Sequence, residues 1–123
     1  MNRMQEQILE FIKAVGQEHY EITTIPEPKT KGLRMKLIYE ETQELFEAIV
    51  NDNIVGVADG IADLLYVVIG TAIAYGIDVE KIFDEVHRSN MSKIWPDGTV
   101  RKNEYGKVLK PPTFSPPNLK DLL

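Results

Sequence analysis

The 123-residue chain has no cysteine, which excludes disulfides, thiolate metal sites and a cysteine nucleophile, and fits a reducing compartment. Basic charge is scarce over most of its length. Residues 1–92 hold 8 Lys and Arg against 16 Asp and Glu, a net of −8, whereas residues 93–123 hold 6 against 3, a net of +3. So acidic a body lacks the phosphate-neutralising surface from which duplex nucleic-acid binders draw most of their affinity, and nucleic acid is not an expected partner. A long apolar run is also missing. The opening MNRMQEQILEFIK carries charges throughout, so no signal peptide is expected. The longest uninterrupted apolar stretch, Leu64 to Ile77 with Thr71 inside it, is about 14 residues, short of the roughly 20 that a membrane span requires. These absences together predict a cytoplasmic protein with no membrane partner.

What is present suits a single soluble domain over residues 1–123. The chain is 43% hydrophobic, and a domain of this size buries only about two-thirds of its unfolded surface, so an oligomer that buries more is expected. Ile8, Leu9, Phe11, Ile12 and Val15 recur at helical spacing and predict a first helix over residues 3–17. TTIPEPKTKG, with Pro26, Pro28 and Gly32, predicts a loop. A second helix is expected from about Leu33 to Ile49, stopping at Asn51-Asp52-Asn53, and a third from Ile54 to Tyr75 with Gly76 as its C-cap. Asp78 then reads as the N-cap of a fourth, VEKIFDEVHRSNM. Past Lys93 come five of the seven prolines, and the turn signals Pro96-Asp97-Gly98 and Tyr105-Gly106 predict a small irregular hairpin and an extended tail over 94–123. The sum is an all-α, four-helix bundle with a helical core over about 3–93 and a mostly non-helical tail. The third helix is apolar almost all round, which predicts a central position and a place in a subunit interface.

Against this pattern the acidic residues of LIYEETQELFEAI need an explanation. On a helical wheel with Leu33 at 0°, Leu37, Glu41, Glu44 and Ala48 fall between about 20° and 80°, and Leu45, Ile38 and Ile49 between about 120° and 160°. Glu41 and Glu44 therefore sit within the apolar stripe, while Glu40 and Glu47 flank it. On the third helix Asp59 and Asp63 share a face with Gly56, Gly70 and Ala74. Carboxylates drawn together in an apolar setting repel one another and lose hydration, unless protons or cations compensate them. A hard divalent ion such as Mg²⁺ or Mn²⁺ supplies that compensation through oxygen ligands alone.

The run EETQE, followed by DGIAD, GTAIAYGID and EVHRSNMSK, resembles the MazG-like, all-α nucleoside triphosphate pyrophosphohydrolases over roughly residues 33–95. That superfamily also holds dimeric dUTPases and phosphoribosyl-ATP pyrophosphohydrolase. Its signature is E-x-x-E, a gap, and then E-x-x-D. Carried onto this chain, the resemblance implies Glu41 and Glu44 as the first metal-binding pair and Asp63 as the final aspartate. Gly60 stands where the second glutamate belongs, and Asp59, one turn before Asp63, is the candidate replacement. The resemblance further implies Glu40 as the group that orients or deprotonates the attacking water. The implied cofactor is Mg²⁺, with Mn²⁺ as the alternative. The implied reaction cleaves a nucleoside triphosphate between its α- and β-phosphates.

HRSNMSK supplies the expected substrate contacts: Arg88 and Lys93 to phosphate, Asn90 to base or sugar, and His87 to either. Lys36 and Arg34 lie one to two turns before the glutamates, as supporting cations or as surface charges. Trp95 is a tail anchor or a base-stacking residue; Tyr66 and Tyr75 belong to the core or an interface. A homodimer is expected, with a tetramer as the next alternative. Two other readings compete. One is a non-catalytic dimeric nucleotide-binding module of the same fold. The other is a di-iron bundle using Glu41-x-x-Glu44 and Asp84-x-x-His87, which lacks the paired Glu-x-x-His motifs of such sites.

Overall fold

The computed structural model describes all residues, Met1–Leu123. It contains four α-helices, α1 (Arg3–Val15), α2 (Pro28–Val50), α3 (Ile54–Tyr75) and α4 (Val79–Met91), then a single 3-10 turn at Lys120–Leu122, and no strand. The all-α class and the non-helical tail are as expected from sequence. By compactness the chain divides into two units, Met1–Val79 and Glu80–Leu123.

In the first unit, α1 opens with a capping box. The Gln5 amide donates to Asn2 Oδ1 at 3.0 Å and the Asn2 amide to Gln5 Oε1 at 2.8 Å, so two otherwise orphaned donors are satisfied. Ile8 and Ile12 of α1 pack with Ile69 and Ile73 of α3 to form the buried apolar cluster, flanked by Leu9 and Val79. Phe11 meets Tyr66 edge-on, with centroids 5.8 Å apart. The second helix begins at Pro28, five residues before the expected start at Leu33. Proline at the first helical position forgoes only an amide that has no intrahelical partner there, so PEPKTKG starts a helix where its composition suggests a loop. Gly32 lies within that helix on an exposed face.

The helices α2 and α3 form an antiparallel hairpin through Asn51–Asn53. Asp52 takes a left-handed φ of 52°, and the Asn53 side chain accepts from the Gly56 amide at 3.0 Å. The register can be read from the glycines. A Cβ on Gly56 would come within 3.1 Å of Ala48 Cβ, one on Gly60 within 3.1 Å of the Leu45 Cα, and one on Gly70 within 2.6 Å of the Arg34 Nη2. From the Gly56–Ala48 contact to the Gly70–Arg34 contact the two helices advance by the same length in opposite directions, which brings Glu41 opposite Asp63.

At its far end α3 stops at Gly76, with φ 68°. The α1–α2 loop satisfies its last carbonyls: the Tyr20 amide donates to Ile73 O at 3.3 Å, the Thr24 amide to Tyr75 O at 2.8 Å and Thr23 Oγ1 to Gly76 O at 3.3 Å. A Cβ on Gly76 would lie 2.3 Å from Ile22 O, so both the left-handed backbone and the close loop demand glycine. Over its whole 22 residues, with a mean hydropathy of 1.7, α3 is long and apolar enough to cross a bilayer by length and composition. The uninterrupted stretch is shorter than the helix because Asp59 and Asp63 interrupt the earlier turns.

In the second unit the tail is tied to α4. Arg88 pairs with Glu85 (Nε–Oε1 2.5 Å) and donates through Nη2 to Pro116 O at 3.2 Å; the Asn118 amide donates to Glu85 Oε2 at 2.9 Å and the Ser115 amide to Ser92 Oγ at 2.9 Å. The irregular hairpin is present, with one antiparallel bridge between Lys102 and Val108, and Arg101 stacks 3.8 Å from the Trp95 ring centre. Trp95 therefore anchors the hairpin. Arg88, and then the Asn118 amide, hold the Glu85 carboxyl down to about 2. A depressed pKa contributes its stabilisation fully above the ordinary glutamate value of roughly 4.3, and that contribution is lost as pH falls towards the folded value. The Asn118 amide resonance should therefore move between pH 4 and pH 2 as the tail loosens, and in Glu85→Gln it should take the loosened position already at pH 7. A wild-type resonance unmoved down to pH 2 would mean that Glu85 does not hold the tail.

Candidate metal centre

The hairpin register brings three carboxylates together. Glu41, Glu44 and Asp63 each offer an oxygen, and these oxygens all lie within 4.8 Å of one another. Glu41 and Asp63 are half-buried and Glu44 is exposed. Glu41 Oε2 is shut away from solvent without a hydrogen-bond partner. Burial, followed by the Glu44 and Asp63 charges, raises the Glu41 pKa, with a smaller push from Asp59. A carboxylate strained in this way by its neighbours, with one oxygen unsatisfied, belongs to a set of hard oxygen donors suited to a divalent cation. The exposure of Glu44 corrects the expectation that it lies in the buried stripe. The wheel describes an apolar arc wider than the line along which α2 touches α3, and Glu44 sits roughly 70° off that line, on the open side.

Asp59 is not one of the three. It is exposed and lines a neighbouring cleft of about 230 Å³ with Glu44, Glu47, Asn51 and Asn53. Gly60, where the resembled motif carries glutamate, is buried against Leu45. A Cβ there would meet Leu45 Cδ1 at 3.0 Å and its Cα and Cβ at 3.1 Å, so α2 would have to give by a few tenths of an ångström to admit a side chain. Asp59 still feels the cluster through its charge on Glu41. If the cluster holds Mg²⁺, Asp59→Asn is expected to weaken its binding by no more than about tenfold, the low end of the range for a group that acts from outside the ligand set, as measured by Mg²⁺ titration of thermal stability. Loss of the Mg²⁺ response would make Asp59 a ligand.

Glu40 is exposed and lies 3.9 Å from Lys36 Nζ, which is also exposed. Of the two readings of Arg34, supporting cation or surface charge, the second is excluded. Arg34 is only 6% exposed, and burial lowers its pKa. Its guanidinium donates to Thr71 Oγ1 at 3.1 Å, Gln17 Oε1 at 3.3 Å and Val67 O at 3.0 Å. The available signal was Gly70, a small residue two turns along α3 from Asp63, which makes the room Arg34 needs. In the second unit His87 and Asn90 are exposed, Lys93 Nζ donates to Asn90 Oδ1 at 3.0 Å, and Arg88 is engaged by Glu85 and the tail.

A second feature of the hairpin concerns its other side. Exposed apolar residues follow steps of three and four along both helices: Met35, Tyr39, Phe46 and Ile49 on α2, and Ile54, Ile61, Leu65 and Val68 on α3. The stripe lies roughly 115° round from the α2–α3 contact line on α2 and roughly 155° on α3, and because the helices are antiparallel both are turned to the same side of that line. The carboxylates open on the opposite side.

A family model described as phosphoribosyl-ATP pyrophosphohydrolase matches residues 2–90. Among curated proteins, an uncharacterised protein of Acanthamoeba polyphaga mimivirus is 31% identical over 80 residues, covering 63% of this chain and 32% of that protein. The chain thus spans about a third of the length of the curated relative it matches.

Proposed function

This chain belongs to the phosphoribosyl-ATP pyrophosphohydrolase family, and we propose that it hydrolyses a (deoxy)nucleoside triphosphate between the α- and β-phosphates, giving the monophosphate and pyrophosphate, with Mg²⁺ or Mn²⁺ as cofactor. The observation that carries this reading is the convergence of Glu41, Glu44 and Asp63 around a buried, unsatisfied carboxylate oxygen. Those three residues would hold the ion. When bound, such an ion screens phosphate charge and acidifies a water molecule.

Glu40 would orient the attacking water and accept its proton; its one ion-pair partner, Lys36, is distant enough to leave a carboxylate oxygen free. Lys36 itself would meet phosphate once Glu40 turns to the water. In the second unit Asn90 offers hydrogen bonds suited to a base or sugar, and Lys93, Arg88 and His87 offer N–H donors suited to phosphate. An acidic protein can take so acidic a substrate because the bound cation reverses the local field. The proposed activity acts on the cytoplasmic nucleotide pool.

The same reading covers the apolar face of the hairpin with a second copy of the chain. The buried apolar residues are few, namely Ile8, Ile12, Ala48, Ile69, Ile73 and Ala74, while the outward stripes carry Phe46 at 62% and Leu65 at 47% exposure. Two hairpins packed by these stripes form a four-helix core. Sedimentation equilibrium should give a dimer, or a tetramer built from it; a monomer that partitions onto lipid vesicles would instead assign the stripes to a membrane.

The activity itself is tested by pyrophosphate release from a panel of ribo- and deoxyribonucleoside triphosphates with Mg²⁺, Mn²⁺ or EDTA. Metal-dependent release from at least one supports the enzyme. Nucleotide binding without release under any of these conditions would leave the non-catalytic module.

A further inference from the structure

A cleft of about 800 Å³ opens where the end of α1 and the loop after it meet the first two turns of α2, lined by Gln17, His19, Tyr20, Lys29, Thr30 and Arg34 among others. It lies outside the carboxylate cluster: Arg34 is seven residues before Glu41 on the same helix face, about 10 Å of helix rise away. Its volume is in the range of small-molecule sites.

The cleft holds a buried arginine that has no ion-pair partner within the protein. Arg34 is buried, its three hydrogen bonds go to a hydroxyl, an amide oxygen and a backbone carbonyl, and none of the chain's ion pairs includes it. Burying an ion without a counter-charge is costly, yet the surroundings are built to receive this one. Gly70 clears the space, since a Cβ there would lie 2.6 Å from Nη2. Thr71 Oγ1 accepts from Arg34 Nε while donating to Val67 O at 2.7 Å. A guanidinium has five N–H donors, and three are used, one on each nitrogen.

The carboxylate of Glu18, which also lines the cleft, is committed elsewhere. It accepts from the hydroxyls of Thr30 and Tyr20 and from the Glu27 amide. Lys29 and Glu27, of opposite charge, also line the cleft. What remains is a pre-oriented arginine fork with two N–H donors unused, one on each terminal nitrogen, the geometry that recognises planar or tetrahedral oxyanions.

We infer that this cleft binds the anionic group, phosphate or carboxylate, of a small molecule, with Arg34 as its anchor. The inference does not rest on the pyrophosphohydrolase reading, because it concerns anion binding in the absence of metal. With EDTA present the carboxylate cluster repels anions, so any anion site that remains must lie elsewhere.

The test is calorimetric titration of the full chain, in EDTA, with inorganic phosphate and separately with acetate. One saturable site per chain is expected, in the millimolar range typical of a small ion held by few contacts. It should weaken at least tenfold in Arg34→Gln and stay unchanged in Glu44→Gln. Saturation by phosphate alone points to a phosphate-bearing ligand, and saturation by acetate to a carboxylate. Should Arg34→Gln fail to fold, the wild-type amide resonances of Gln17, Thr30 and Leu33 decide the matter, because they should shift together along the titration. No saturation with either anion, equal affinity in Arg34→Gln, or shifts confined to other residues would overturn the inference.

Discussion

Glu44→Gln is expected to lower metal-dependent pyrophosphate release by about a thousandfold or more, in line with the several kcal/mol that a bound divalent ion supplies to phosphoryl transfer. The substitution keeps the side chain's shape and removes one of three mutually repelling charges, so the helical signal should be unchanged and the metal-free melting temperature equal or slightly higher. Glu44 is the exposed member of the cluster, so its replacement opens no cavity and strands no buried partner. The two readouts separate catalysis from folding. Loss of activity with loss of fold would make Glu44 structural, and substantial residual activity would remove it from the ligand set. Added Mg²⁺ should raise the melting temperature of the wild-type protein and not that of Glu44→Gln, because only a native state that binds the ion gains from it.

Gly60→Glu, which would restore the glutamate of the resembled motif, is expected to destabilise the protein by about 3–5 kcal/mol, the combined range of overpacking and of burying an unpaired carboxylate. For a chain of this size that is a fall of roughly 10–20 °C in melting temperature. The cause is local. The new Cβ would meet Leu45 at its Cα, Cβ and Cδ1 within 3.0–3.1 Å, and a backbone atom cannot swing aside as a side-chain tip can. The helices would have to separate at the point where they hold Glu41 against Asp63. Activity should fall with stability, although a motif residue has been put back. A melting temperature equal to wild type would show slack between α2 and α3 that the packing denies.

Much of the fold was legible because helical periodicity survives wherever one face is apolar. The first helix is bracketed by its capping box and Gly16, and the third by Asn53 and Gly76. The start of α2 was not legible, because PEPKTKG has the composition of a turn and only its position at a helix N-terminus makes Pro28 favourable. Within the site, Glu41 and Asp63 could be placed from the wheel together with the family motif. The wheel gives angle but not depth, so Glu44 read as inward although it is exposed. For Arg34 the sequence left a supporting cation and a surface charge open, and burial excludes only the second. A charged residue on a helix is normally solvated, and only its alignment with Gly70 on the facing helix, a matter of register between two segments, shows that it is buried. Asp59 shares a face with Asp63 but lies outside the group formed by Glu41, Glu44 and Asp63, and what crowds the neighbouring Gly60 is Leu45 of the other helix, which the sequence of α3 does not reveal.

The α2–α3 hairpin also has a kinetic consequence. Glu41, Glu44 and Asp63 all lie within one stretch of chain joined by the tight turn Asn51–Asn53, so their meeting requires closure of only a short loop. Contacts of such small sequence separation form early and fast. The acidic cluster would then assemble before α1 docks on Ile69 and Ile73, and its mutual repulsion would act as a brake on the first folding event. A divalent ion present during refolding would relieve that brake, so the nascent chain would gain from the cation before any substrate is bound.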